Sequence, residues 1–252
     1  DASQIGIRIA NATVATTSGN MTLIGVGKGS GNNSFGVHVF DNNTAGGVVS
    51  STGGRITLDG TGGSHATTGV GVDFQALALE NTLGGATSGD ILILSRDSVT
   101  TDNAISLKSV NISTAAGKNV TINALGGGNV NQSFGSIKAG GLVLLSGASS
   151  NFSLNTATNN VTTLAGNITG ATSTLKFTET NGYDIGALAT VQLTGGGGVL
   201  TSGLTVGATG TPANKTTLTA GGAVTQTQAV VTSGLELLGT GSFDLSANSN
   251  NV

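Results

Sequence analysis

The sequence predicts an all-β chain folded as a right-handed parallel β-helix, a β-solenoid of stacked coils. Three observations predict it: short apolar segments of alternating pattern recur along the chain, these segments repeat at fixed offsets, and Gly or Asn stands between them. Gly and Asn adopt the backbone conformations that tight corners need. If each turn takes about 20 to 24 residues, the chain makes roughly eleven to twelve turns.

The first part of the chain, residues 1–115, carries a repeat of about 30 to 35 residues. A frame of Gly, aliphatic, any residue and aliphatic recurs at spacings of 30 and 33 residues, as GIRI (Gly6–Ile9), GVHV (Gly36–Val39) and GVGV (Gly69–Val72). A second family recurs every 35 residues, as MTL (Met21–Leu23), ITL (Ile56–Leu58) and ILI (Ile91–Ile93). Two interleaved strand families on one period predict stacked coils.

The second part, residues 116–252, carries a longer repeat of about 90 residues. Its clearest pair is Ala139–Val161 and Thr232–Val252. The matches are Gly127–Ser133 with Gly221–Thr227, Gln132 with Gln226, Leu142 with Leu235 and Phe152 with Phe243. In a parallel β-helix each turn stacks on its predecessor and meets the same neighbours, whereas strands of a sandwich have no reason to repeat at a fixed offset. We therefore predict one continuous solenoid over residues 1–252.

The local patterns indicate strands and disfavour helices. Gly costs a helix about 1 kcal/mol relative to Ala, and hardly ten consecutive residues avoid Gly, Asn, Ser and Thr. Only Phe74–Asn81 is compatible with a helix, and its alternation favours a strand there too. Alternation also places Leu144 and Leu237 in the core, so an Asp at either position is expected to break a rung.

Charge and composition exclude several classes of protein. Nine basic and twelve acidic residues give a net charge of −3, which leaves no basic patch for a nucleic-acid backbone. The absence of cysteine removes disulfides, thiolate metal sites and cysteine nucleophiles. The longest apolar runs are about four residues, far below the roughly twenty that span a bilayer. Because the sequence has no initiator Met and no signal-peptide stretch, we expect a piece of a longer protein.

Several strings resemble the repeats of filamentous-haemagglutinin-like proteins. They are NNVTTLAGNITG (Asn159–Gly170), LKF (Leu175–Phe177), AVTQT (Ala223–Thr227), SGLELLG (Ser233–Gly239) and GRITLDGTGG (Gly54–Gly63). The resemblance covers nearly the whole chain. It implies a large exoprotein of Gram-negative bacteria, exported by two-partner secretion through an outer-membrane partner and folded as a right-handed parallel β-helix that acts as an adhesin. The secretion domain with Asn-Pro-Asn motifs, which the family uses for export, has no counterpart in this sequence.

An enzyme on a β-helix needs carboxylates, with or without Arg or Lys, converging on one groove. The best candidates are Asp59, Asp73, Asp90, Arg96, Asp97 and Asp102. The favoured interpretation is structural: Asp97 and Asp102 lie in a polar turn, Arg96 pairs with one of them at the surface, and the chain is not an enzyme.

Metal and cofactor sites are not expected. His38 alternates with Val37 and Val39 and so points away from the core, and His65 has no partner ligand at a suitable spacing. The glycines of Gly195–Leu200 lack the aspartate of calcium-binding β-rolls. GVGKGSG (Gly25–Gly31) lacks the frame of a phosphate-binding loop.

The sequence thus predicts a non-enzymatic surface adhesin or fibre segment, extracellular or on the surface of a Gram-negative bacterium, that binds cell surfaces or glycans through many weak polar contacts. Expected contact sites are the corner insertions Gly27–Ser34, Asp41–Ser51, Gly60–Thr68 and Gly207–Lys215. Two alternatives remain open. One is a self-assembling filament subunit, associating end to end or side by side, and the other is a carbohydrate-active or glycan-binding module on the same scaffold. A long groove with acids or exposed aromatic rings favours the latter.

Overall fold

The computed structural model of the 252-residue chain describes residues 4–29, 33–42, 45–63, 69–97, 103–156, 158–193, 198–207 and 213–252. These residues form β-strands and no helix, so the predicted all-β class is confirmed. Nearly all strand pairs are parallel, and the strands stack into sheets as in a β-helix or solenoid. No helix among these residues could cross a membrane.

Each coil supplies strands to three faces. Face 1 is a nine-stranded parallel sheet. In stacking order its strands are β1 (Ile7–Ala10), β4 (Ser34–Phe40), β7 (Gly69–Gln75), β10 (Asn103–Leu107), β13 (Asn129–Gln132), β15 (Asn151–Leu154), β17 (Thr174–Glu179), β22 (Lys215–Ala220) and β25 (Leu235–Gly239).

Faces 2 and 3 belong to one larger sheet, because two long strands, β14 (Gly135–Ser146) and β16 (Asn160–Ile168), run through both. Face 2 also contains β2 (Thr13–Thr16), β5 (Val48–Ser51), β8 (Asn81–Gly84) and β11 (Val110–Ser113). Face 3 also contains β3 (Met21–Val26), β6 (Ile56–Thr61), β9 (Ile91–Ser95), β12 (Asn119–Ala124), β21 (Leu204–Val206) and β24 (Val230–Val231). The short strands β18 (Asp184–Ile185) and β23 (Thr225–Gln226) continue the first residues of face 3, because Ile185 pairs with Leu164, which pairs with Leu142. A separate antiparallel hairpin pairs β19 (Ala187–Ala189) with β20 (Leu200–Ser202).

The strand register confirms one of the two short sequence families and corrects the other. Met21 pairs with Ile56, which pairs with Ile91, so the 35-residue family stacks as expected. On face 1, however, Val37 pairs with Val72 rather than Val70. Gly71 therefore stacks on Gly36, and a Cβ built on Gly36 lies 2.6 Å from the carbonyl oxygen of Gly71. The column needs glycine at this position because two backbones meet there.

The turn count expected from the sequence is not confirmed. Among the described residues face 1 holds nine strands, where eleven to twelve turns were expected. The coils are longer than assumed near the start: Ile7 pairs with Val37, thirty residues on. They shorten in the middle, where Val130 pairs with Phe152, and lengthen again where Leu175 pairs with Thr216. That last coil contains the hairpin.

The two copies of the long repeat lie on different faces. Leu142 belongs to face 3, where it pairs with Val120 and Leu164, whereas its match Leu235 belongs to face 1. Phe152 lies on face 1, and its match Phe243 bridges to Val224, the residue before β23. The expectation that matched segments meet the same neighbours is therefore wrong for this repeat. The repeat spans a whole number of coils plus one face, so the second copy is displaced around the axis.

The interior is a continuous column of aliphatic side chains with a few rings. Its largest fully buried side chains include Phe74, Phe152 and Phe177. Leu144 is fully buried as predicted, but Leu237 is 39% exposed, because β25 pairs on one side only, with β22. The placement of Leu237 in the core is therefore wrong for the described residues.

The predicted strand over Phe74–Asn81 is broken in the middle. β7 ends at Gln75, and β8 begins only at Asn81. Between them Leu77 and Leu79 are 60% and 47% exposed. The carboxylate of Asp41 accepts hydrogen bonds from the amides of Ala78 and Leu79, at 3.0 and 2.8 Å, and so holds this backbone in a bend.

Candidate functional site

The candidate catalytic residue Arg96 forms a structural ion pair. Its guanidinium donates to both oxygens of Asp59, with Nε to Oδ1 at 2.8 Å and Nη2 to Oδ2 at 3.0 Å. The hydrogen bond to Asp59 is the main cause that raises the pKa of Arg96. The expected partner was Asp97 or Asp102, but the structure pairs Arg96 with the preceding coil. Asp59 is almost fully buried, so the pair is more than a surface contact.

His38 and Asp73 form a second pair between neighbouring coils. The His38 Nδ1 atom lies 2.8 Å from Oδ2 of Asp73, and the two residues are register partners on β4 and β7. His38 lies outside the aliphatic core, between Val37 and Val39, as predicted, yet it is only 5% exposed. The rings of Phe35 and Phe40 stack near it, with centroids at 4.5 and 5.4 Å. The pair of His38 and Asp73 thus links two neighbouring coils of face 1.

The remaining acids bind backbone amides. Asp90 accepts from the amide of Asn119 at 2.8 Å, and Asp97 accepts from the amide of Gly62 at 3.2 Å. Asp102 and His65 lie outside the described residues. Within the described part of the chain, no group of three His, Cys, Asp or Glu side chains could hold a metal ion. The four described candidates, Asp59, Asp73, Asp90 and Asp97, thus form separate bonds between neighbouring coils.

The expected contact loops are described only in part. Residues 30–32, 43–44, 64–68 and 208–212 lie outside the described residues. Within Asp41–Ser51, the last four residues form strand β5, and Val49 is fully buried. That end of the segment belongs to the core.

The hairpin β19–β20 was not expected from the sequence. It lies against face 3 and reaches back over several coils, because the guanidinium of Arg55 donates to the carbonyl oxygens of Gln192 and Leu193 at 2.6 and 3.1 Å. The amide of Val191 donates to the Thr121 hydroxyl at 3.1 Å. The run of glycines beginning at Gly195 was its only sequence signal, and residues 194–197 lie outside the described residues.

A concave surface lies where face 1 turns into face 2. This depression, here named the corner groove, has a volume of about 860 Å³, within the range of ligand sites. Its lining combines short polar side chains, one acid, one lysine and one aromatic ring. The lining residues are Glu80, Asn111, Ser133, Phe134, Gly135, Ser136, Lys138, Asn155, Thr156, Thr158, Asn160, Thr180 and Asn181.

A chain of hydrogen bonds orders one wall of the corner groove. The Ser136 hydroxyl donates to Oδ1 of Asn111 at 2.8 Å, and the Asn111 amide donates to the carboxylate of Glu80. These three residues come from three successive coils, since Asn111 pairs with Thr82 on one side and Ser136 on the other. The polar groups are therefore held in fixed positions along the stack.

Phe134 is the unusual residue of the corner groove. It is 67% exposed, although the sequence places most phenylalanines in the core phase. It lies between β13 and β14, and a second depression of about 310 Å³ adjoins it on the side of Lys108 and Leu77. The signal in the sequence is its place after Gln132-Ser133 and before Gly135, outside any alternating segment.

A buried carboxylate lies beneath one end of the corner groove. Glu179 points inward on β17, and the amide of Val161 donates to both of its oxygens at 3.0 and 3.1 Å. Burial raises the pKa of Glu179 to about 7, against the opposing effect of these backbone hydrogen bonds. Burial, with the nearby charge of Glu179, also raises the pKa of Tyr183. Glu179 lies inside the coil, so it anchors the corner backbone.

Comparison with protein-family models, with curated protein sequences and with solved structures finds no match to this chain.

Proposed function

We propose that this chain is a non-enzymatic segment of an extracellular adhesin, a rigid right-handed β-solenoid that presents polar surfaces for binding. The proposal depends on one observation: the candidate catalytic acids are bonded to neighbouring coils, whereas the corner groove presents polar groups at the surface. The candidate acids Asp59, Asp73, Asp90 and Asp97 are engaged in bonds between coils, while the corner groove presents fixed amides, hydroxyls and one exposed ring. Such a surface suits binding without bond cleavage.

Handedness, export and location complete the proposal. Crossovers between parallel strands are right-handed in about 98% of cases, which favours a right-handed coil. The resemblance to filamentous-haemagglutinin-like repeats favours export through an outer-membrane partner and display on the surface of a Gram-negative cell. Many weak contacts along a repetitive stack then act together by avidity.

A filament subunit is the second candidate. Among the described residues β25 pairs only with β22, and its Leu237 and Leu238 are 39% and 45% exposed. The edge of such a strand can pair with a further coil of the same chain or with another chain. Electron microscopy over a range of protein concentrations distinguishes the two: discrete rods favour the adhesin, and filaments with a regular axial repeat favour the subunit.

Two assays test the adhesin. Beads coated with folded protein are expected to bind cultured cells, and beads coated with heat-unfolded protein are not. In parallel, the protein is incubated with neutral and acidic polysaccharides, and no new reducing ends or unsaturated products are expected. Product accumulation would establish an enzyme instead, and equal binding by folded and unfolded coatings would remove the adhesive role.

A further inference from the structure

We infer that the corner groove binds an extended chain of neutral sugars, laid along the axis of the solenoid with Phe134 as its stacking platform. This inference rests on the proposed adhesive function and names the class of ligand. Three features of the groove carry it: an exposed ring among polar groups, a repeat of those groups from coil to coil, and a near balance of charge.

The ring of Phe134 offers the apolar contact that a sugar needs. A pyranose has one face of C–H groups, and the negative face of an aromatic ring attracts such C–H groups. Phe134 is 67% exposed and contacts both the corner groove and the adjoining depression. An exposed ring buries little of its apolar surface unless a ligand covers it. Its position between two depressions leaves room for a sugar on either side.

The spacing of polar groups matches the repeat of an extended glycan. Neighbouring parallel strands lie about 4.8 Å apart, so successive coils present equivalent side chains at that interval. The length of one hexose unit in an extended chain is close to this spacing. Register partners that line the groove lie in two such rows, Asn111 with Ser136 and Lys138 with Asn160. A glycan parallel to the axis thus meets one set of polar groups per sugar.

The polar side chains of the corner groove are suited to hydrogen bonds with sugar hydroxyls. Asparagine amides both donate and accept hydrogen bonds, as sugar hydroxyls do. Asn160 and Asn181 are exposed in the groove. The charged lining residues, Glu80 and Lys138, are opposite in sign, so the groove has no net charge to attract a polyanion or polycation. A neutral glycan fits this balance.

Affinity electrophoresis tests the inference directly. Native gels are cast with a neutral β-glucan, a neutral galactomannan or acidic polygalacturonate, and the retardation of the protein is measured. The variants are Phe134→Ala and Asn160→Ala, both at exposed positions. The control is Ile24→Ala, which removes an equally exposed apolar side chain on face 3, away from the groove. Circular-dichroism melting curves check that all four proteins are folded.

Retardation by a neutral polysaccharide is expected for the wild type and for Ile24→Ala. Phe134→Ala is expected to weaken binding about tenfold, the effect of losing roughly one aromatic contact, and Asn160→Ala to weaken it a few fold. With neutral oligosaccharides in solution, affinity should rise with length up to about five sugars, the number of coils that line the groove.

Three outcomes overturn the inference: no retardation by either neutral polymer, retardation by the acidic polymer alone, or retardation that both groove variants retain. If coated beads still bind cells in any of these cases, the adhesive function stands and its contact lies elsewhere. If the beads also fail to bind, the proposed function fails with the inference.

Discussion

The two copies of the long repeat, Ala139–Val161 and Thr232–Val252, form the same corner bonds in different surroundings. In the first copy Asn159 and Gln132 exchange amide hydrogen bonds, at 2.8 and 2.9 Å. In the second copy Asn250 and Gln226 exchange the equivalent pair. Each asparagine also accepts from a backbone amide and donates to the carbonyl five residues before it. The local sequence therefore sets this corner, whichever face it joins.

The burial of matched side chains, in contrast, depends on the coils that lie next to them. Asn159 is fully buried and also donates to the carbonyl of Thr178 in the next coil, whereas Asn250 is only partly buried. Leu144 is fully buried between neighbouring strands, and its match Leu237 is 39% exposed. The corner hydrogen bonds therefore depend on the sequence of the repeat itself, whereas the burial of its side chains depends on the coils that cover it.

The largest difference between the copies is expected for an Asp in place of the matched leucines. Leu144→Asp buries an unpaired carboxylate and should lower the stability by about 4 kcal/mol or more, enough to reduce the β signal at ambient temperature. Leu237→Asp leaves its carboxylate partly in water and should cost under about 1 kcal/mol. Thermal melting followed by circular dichroism measures both.

Leu144→Met, which conserves volume, is the control and should cost less than about 1.5 kcal/mol. Equal losses from the two Asp variants would show that β25 is covered in solution.

A pH dependence is expected to arise at the end of the first copy. Glu179 binds the amide of Val161, and burial raises its pKa from the ordinary 4.5 to about 7. The folded state therefore holds a proton that the unfolded state has lost between these values, so stability should fall as the pH rises from 4.5 to 7. The full loss is on the order of 3 kcal/mol. Denaturant unfolding at a series of pH values measures it.

Glu179→Gln should flatten this profile, because glutamine does not titrate. Its side-chain oxygen can still accept the hydrogen bond from the amide of Val161. Glu236→Gln in the second copy is the matched control. The pKa of Glu236 is lowered, mainly by its hydrogen bond with Lys215, so its stabilisation is lost only when the pH falls below the ordinary range of a carboxyl. The slope between pH 4.5 and 7 should therefore survive in Glu236→Gln; a slope that survives in Glu179→Gln contradicts the assignment.

A smaller difference is expected at the corner asparagines. Asn159→Ala leaves several buried groups without partners, including the amide of Ile137 and the carbonyls of Leu154 and Thr178, and should cost about 2 to 3 kcal/mol. Asn250→Ala should cost about 1 kcal/mol, because water can reach its partners. Urea midpoints compare the two variants. A larger loss for Asn250→Ala would mean that the second copy is the more tightly packed one.

The sequence predicted the features that depend on local alternation, and it missed those that depend on distant residues. The 35-residue family around Ile56 could be aligned because its three strands share one pattern and one loop length. The sequence frame matched Gly36 with Gly69, two residues before its partner Gly71 in the structure. Both positions are glycine, and only the contact between Gly36 and Gly71 distinguishes them. The pair of His38 with Asp73 joins residues 35 positions apart, and no motif marks it.

The corner groove could not be predicted for a similar reason. Its wall brings Glu80, Asn111 and Ser136 together from successive coils of unequal length, so their alignment requires the register. The hairpin could not be placed either, because Arg55 binds a segment about 137 residues away. The displacement of the second copy by one face follows from the summed lengths of the coils, which the offset between the copies does not reveal.

Cross-linking tests most directly the central claim that the second copy lies one face around the solenoid. On face 1 Thr217 pairs with Glu236, and the Thr217 hydroxyl donates to the Glu236 carboxylate at 3.0 Å. The chain has no cysteine, so Thr217→Cys with Glu236→Cys gives a single thiol pair at a distance that a disulfide can bridge. Ser153→Cys with Lys176→Cys, register partners on the same face, is the positive control. The structure predicts that both pairs cross-link on mild oxidation; free thiols in the first pair alone would contradict it.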